Sequence, residues 1–169
     1  MSGGSIIVLA ILVFAGVTIF KGVRIVPQGY KWIVQRLGKY HTTLTPGLNF
    51  VIPYVDEVAY KVTTKDIVMD IPSQEVITRD NAVLLMNAMA YINITTPEKA
   101  VYGIENYTWA IQNLVQTSLR SIVGEMDLDD ALSSRDHIKA KLKAAISDDI
   151  SDWGITLKTV EIQDIQPSS

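Results

Sequence analysis

The first twenty residues constrain this chain more than anything that follows them. Residues 2–20 carry no charge, and residues 6–20 are almost wholly Ile, Val, Leu, Ala and Phe. As a helix, this run spans about 28 Å, close to the roughly 30 Å of a bilayer's hydrocarbon core. Ile6, Ile7, Val8, Leu9, Ile11 and Leu12, then Val13, Phe14, Val17, Ile19 and Phe20, are its anchoring side chains. A helix apolar all round is more than a small domain can bury. A cleaved signal peptide needs basic residues before the apolar run and a small-x-small site after it, and neither stands out here. The expectation is a membrane anchor. The basic residues Lys21, Arg24, Lys31, Arg36 and Lys39 all follow it. By the positive-inside rule the N-terminus then lies outside and the body in the cytoplasm, as in a single-pass protein of the cell (inner) membrane.

Beyond the anchor, the length of 169 residues suits one domain or two small lobes sharing a core. There is no cysteine, which removes disulfides, thiolate catalysis and Cys-ligated zinc. The net charge of −3 gives no case for a nucleic-acid partner, which wants a clustered basic face.

Residues 22–27 read as a short connector. Residues 31–37 are β-prone and stop at Gly38. Thr45-Pro46-Gly47 signals a turn. Val58, Tyr60 and Val62 alternate onto one face, and Ile67, Met69 and Ile71 repeat the pattern until Pro72 marks an edge strand or bulge. Residues 75–95 look like a hairpin with a tight turn at Asp80-Asn81. Its second strand puts Leu84, Met86, Ala88, Ala90, Ile92 and Ile94 on one face. The other face is also mostly apolar, which predicts a central strand covered on both sides. Four helices follow. Thr96-Pro97 opens the first and Asn106 caps the second, whose stripe is Tyr107, Ile111, Leu114, Ser118 and Ile122. Asp127 caps the third. Ser133 or Ser134 opens the fourth, with Ile138, Leu142, Ala145, Ile146 and Ile150 inward and a stop at Gly154. Residues 155–165 form a last strand whose phase slips between Leu157 and Val160, a bulge signal. The class is α+β, with helices packed on a mainly antiparallel sheet. Residues 166–169 do not read as a domain's natural close, so a fragment of a longer protein is expected.

Catalytic motifs are hard to find. His41 and His137 have the neighbours of surface residues, and neither sits in a ligand motif. Asp127, Asp129 and Asp130 begin like a calcium loop, but Leu132 stands where glycine is needed and Ile138 where the last ligand belongs. There is no phosphate-cradling glycine loop and no nucleophile elbow. No cofactor, no metal and no enzymatic activity are expected.

The stretch VPQGYKWIVQRLGKYHTTLTPGLNFVIPYVDEV resembles the opening of the SPFH (band 7) domain shared by stomatins, prohibitins, flotillins and the bacterial HflK and HflC proteins. DIPSQEVITRDNA is similar to the family's central hairpin, LRSIVGEMDLDDALSSRDHI to its helical segment, and DDISDWGITLKTVEIQDI to its closing helix and strand. The VPQGY start looks nearest to QmcA and stomatin-like members. Residues 1–25 are expected to be the membrane anchor and a short connector; the resemblance implies a membrane-proximal β-rich lobe on 26–95 and a helical lobe with a closing strand on 96–169, without the coiled coil that usually follows. It also implies a non-enzymatic scaffold that forms homo-oligomers, organises a membrane microdomain and regulates partners such as membrane proteases. A lipid-binding module or an accessory subunit of a membrane protease is the alternative.

Two surfaces stand out. PGLNFVIPYVD sets a short apolar run between two prolines. It is either a core strand, a loop dipping into lipid headgroups, or a strand whose alternate residues do both. Membrane lipids are then candidate partners of Leu48, Phe50, Ile52 and Tyr54. Asp130, Arg135, Lys139 and Asp149 are candidate oligomer contacts, or an ordinary solvated face.

Overall fold

The computed structural model describes residues 2–168, and the chain forms two compact units, residues 1–64 and 65–169. The expected division at 95/96 therefore moves to 64/65. The reason is strand pairing: the long hairpin assigned to the first lobe pairs with the C-terminal strand and belongs to the second unit.

In the first unit, α1 (Gly3–Gly22) runs without a loop into β1 (Val23–Val26). The expected connector is thus largely a strand, because β1 finds a partner. It pairs antiparallel with β4 (Gly47–Phe50), while β2 (Tyr30–Arg36) lies between β3 (Lys39–Leu44) and β5 (Asp56–Thr63). Leu37 and Gly38 both have positive φ, 53° and 83°, which makes the two-residue β2–β3 turn one whose twist suits a hairpin. Val26, Val34, Leu44 and Val51 form the buried cluster, with Tyr30, Trp32 and Val58 packed against it. The expected single face of Val58, Tyr60 and Val62 is broken. A register shift between Ile33 and Val34 pairs Tyr60 with Ile33 but Val58 with Val34, and Tyr60 is exposed.

The second unit is an antiparallel sheet in the order β6 (Ile67–Ile77), β7 (Val83–Ile94), β8 (Ile155–Pro167). Helices α3 (Tyr107–Gly124) and α5 (Arg135–Ser151) pack on β6 and β8 and on each other. Between them lie the short α4 (Leu128–Ser133) and, earlier, α2 (Pro97–Tyr102). Pro72 sits in a register shift of the edge strand β6, as its missing N–H requires. β8 bulges at Lys158, where the apolar phase slips, and again at Gln163.

Three expectations change here. β7 buries Leu84, Met86, Ala88, Ala90, Ile92 and Ile94 on one face only, and Val83 and Leu85 on the other are exposed. Both long helices cover the same face, so one face of a nominally central strand stays open. In α3 the buried stripe is Ile111, Val115, Leu119, Ile122 and Val123, about one residue away from the expected one, so that Val115 and Leu119 replace Leu114 and Ser118 in the core. In α5 the four isoleucine and leucine positions are buried as expected but Ala145 is exposed. Asn106 accepts a hydrogen bond from the Trp109 N–H, as a cap should. Asp127 does not cap α4 with its side chain: it pairs with Arg79, and Asp80 from the β6–β7 turn accepts from the Leu128 N–H instead.

Candidate membrane-contact surface

Uniform apolarity gives α1 no side to bury, and every residue from Gly3 to Lys21 except the half-buried Thr18 is exposed. All eleven side chains expected above to form the anchor are among them. At 1.5 Å per residue the helix is about 30 Å long, long and apolar enough to cross a membrane.

The helix ends against the first unit's own strands. Gly22 is buried, its carbonyl accepts from the Val51 N–H at 2.7 Å, and a Cβ there would lie 2.5 Å from the Val51 carbonyl oxygen. Only a residue without a side chain permits that approach. Arg24 folds back and donates Nη1 hydrogen bonds to the Lys21 and Val23 carbonyls, satisfying acceptors that a helix C-terminus leaves open.

Register then decides what faces outward. Val23 pairs with Phe50, and Ile25 with Leu48. Directly opposed residues share a face, so Ile25, Leu48 and Phe50 point the same way. They are 70%, 64% and 66% exposed, whereas Val26 and Val51, one step out of phase, are buried. Ile52 and Tyr54 continue the exposed series at 52% and 70%. All four residues singled out in PGLNFVIPYVD are therefore solvent-facing, and Val51 between them is a core residue. Lipid contact at Leu48 or Phe50 would add roughly 1–2 kcal/mol each, since both are already partly buried.

The turn that presents Ile52 and Tyr54 is held from inside. Asp56 accepts both branches of the Arg36 guanidinium, at 2.7 and 3.1 Å, and the Ile52 N–H at 2.9 Å. Its side chain is almost wholly buried. The Arg36 hydrogen bonds, helped by the Ile52 N–H and opposed by desolvation, lower its pKa to about 2. The Asp56 N–H returns a bond to the Ile52 carbonyl, and Leu37 N–H donates to Val55. Tyr54 sits at φ 76°, a left-handed conformation that disfavours any residue with a Cβ.

In the first unit, the exposed Ile25 and Leu37 escaped the sequence reading. Ile25 lies in the supposed connector, and its signal was the period-two spacing of Val23 and Ile25 about Arg24. Leu37, exposed at the hairpin tip, gave only a Leu-Gly turn signal.

The other candidate surface looks different. Asp130, Arg135 and Asp149 are exposed, but Lys139 forms an ion pair with Glu161 at 2.7 Å and Arg135 donates to the Gln163 carbonyl at 3.4 Å. Two of the four are thus engaged within their own unit. His41 and His137 are both exposed, and among the described residues no cluster of three or more His, Asp or Glu is placed to hold a metal.

The family model described as "SPFH domain / Band 7 family" matches residues 24–169. An uncharacterized protein of Methanocaldococcus jannaschii is 41% identical over 149 residues, covering 88% of this chain and 74% of that protein. Human "Stomatin-like protein 2, mitochondrial" is 39% identical over 140 residues, 83% of this chain and 39% of that protein. An uncharacterized protein of Mycobacterium tuberculosis is 34% identical over 164 residues, 97% of this chain and 43% of that protein. The chain therefore spans less than half the length of its mycobacterial and human relatives.

Proposed function

The chain belongs to the SPFH domain / Band 7 family, and on that premise we propose that it is the membrane-anchored part of a non-catalytic scaffold that self-associates to organise a patch of membrane. The observation that carries the reading is the unbroken passage from α1 into a strand ribbon whose outer face is apolar. A tethered soluble domain has no use for Ile25, Leu48 and Phe50 beside its anchor, whereas a domain seated on lipid gains by burying them. The excess of Lys and Arg directly after α1 supports a cytoplasmic domain at the cell (inner) membrane. Stomatin-like relatives support membrane association in general. Control of protein partners, membrane proteases among them, is the finer part of the proposal.

The test is the mass of the detergent-extracted particle, for this chain and for a version carrying its natural continuation, if one exists. A large closed assembly for the extended form, with a smaller one here, is the expected result. Monomers in both cases refute the scaffold.

A further inference from the structure

Where α1 meets its strands, the first unit holds an open cleft of about 710 Å³. Its charged walls are Lys21, Arg24 and Asp56, and its ring walls are Trp32 and Tyr54. The charges do not cancel. Asp56 is spent on Arg36 and the Ile52 N–H, while neither Lys21 nor Arg24 forms an ion pair among the described residues. Arg24 commits only Nη1 to backbone carbonyls, and by covering them it offsets the negative end of the helix dipole, which would otherwise repel an anion. Lys21 Nζ lies 5.9 Å from the centre of the Tyr54 ring, which draws the ammonium toward the cleft wall.

We infer that this cleft takes the phosphate of an anionic glycerophospholipid from the leaflet that faces the folded domain. A phosphate offers several acceptor oxygens to an ammonium and a guanidinium at once. The volume lies in the range of small-molecule sites and accommodates a glycerophosphate headgroup. The apolar surroundings select a lipid over a soluble anion. Phe20 and Ile25 line the same cleft and are exposed, and the helix above them supplies an apolar track for acyl chains. Tyrosine and tryptophan suit the boundary between headgroup and hydrocarbon. The inference rests on the membrane-anchored reading above.

The full chain in dodecyl maltoside is offered equal amounts of dioleoyl-phosphatidylglycerol and dioleoyl-phosphatidylcholine, and retained lipids are counted by native mass spectrometry. A preference for phosphatidylglycerol on the order of tenfold is expected from two nearby cations. Lys21→Gln with Arg24→Gln brings it to parity, Lys21→Arg preserves it, and the charge-matched pair Lys31→Gln with Lys39→Gln leaves it intact. Circular dichroism confirms that each variant is folded. Parity in the unsubstituted chain overturns the inference. So does an equal loss in the Lys31/Lys39 variant, which marks diffuse attraction, or displacement of the lipid by millimolar inorganic phosphate, which marks a soluble-anion site. Flotation with pure phosphatidylcholine vesicles separates the two levels. A chain that floats but shows parity keeps its anchor and loses the headgroup site, whereas a chain that does not float loses both.

Discussion

Tyr54 keeps a costly backbone angle and points most of its ring into solvent. A residue held at positive φ with most of its surface exposed is a candidate for work outside the fold. Tyr54→Gly should therefore leave the melting temperature unchanged or raise it, relieving about 1 kcal/mol of strain, while the preference for phosphatidylglycerol falls; thermal melts and native mass spectrometry read the two effects separately. Asp56 makes the opposite bargain, since its carboxylate serves the fold. Its pKa is lowered in the folded chain, to about 2, from an unfolded value near 4. Its stabilising contribution is thus fully present above about pH 4 and drains away as pH falls through the folded pKa. Melting followed from pH 6 to pH 2 should show this loss, and Asp56→Asn should start less stable and flatten the acid slope. Gly22→Ala would push a methyl group into the Val51 carbonyl. The expected cost is about 1–3 kcal/mol, with faster hydrogen exchange at the Val51 N–H as the local sign.

At the level of elements, the readable parts of the sequence were those with a strict local rule. Alternation along β7 placed its buried face, proline placed the β6 irregularity, and a phase slip placed the first β8 bulge. The unreadable parts depended on partners distant in sequence. A four-residue segment such as Val23–Val26 becomes a strand only because β4 comes back to it. The open face of β7 follows from both helices choosing one side, which period-two patterning does not encode. The same holds for the α4 cap. Asp127 occupies the right position, yet the acceptor for Leu128 comes from Asp80 on a hairpin turn. Hydrogen exchange at the Leu128 N–H should accelerate several-fold in Asp80→Ala and stay near the parent rate in Asp127→Ala. Of the candidate site, strand alternation made Phe50 and Ile52 legible, but Ile25 needed the β1–β4 register.

For the molecule as a whole, the missing cysteines are an experimental convenience. Ser2→Cys and Ser169→Cys give single reporters at the two ends of a chain with no other thiol. In intact cells an impermeant thiol reagent should label only the Ser2→Cys chain. Labelling confined to Ser169→Cys would reverse the orientation read from Lys21, Arg24, Lys31, Arg36 and Lys39.

The Gly22–Val51 junction also has a mechanical meaning. A flexible linker would let the first unit wander above the bilayer, but here helix and ribbon share a hydrogen bond and leave no spare residue between them. A helix of this length answers a change in bilayer thickness by tilting. With a stiff joint, that tilt becomes a rotation of the β1–β4 ribbon and the cleft beside it. On the proposed membrane-anchored reading the joint is a lever, turning the thickness of the surrounding lipid into the angle of this ribbon.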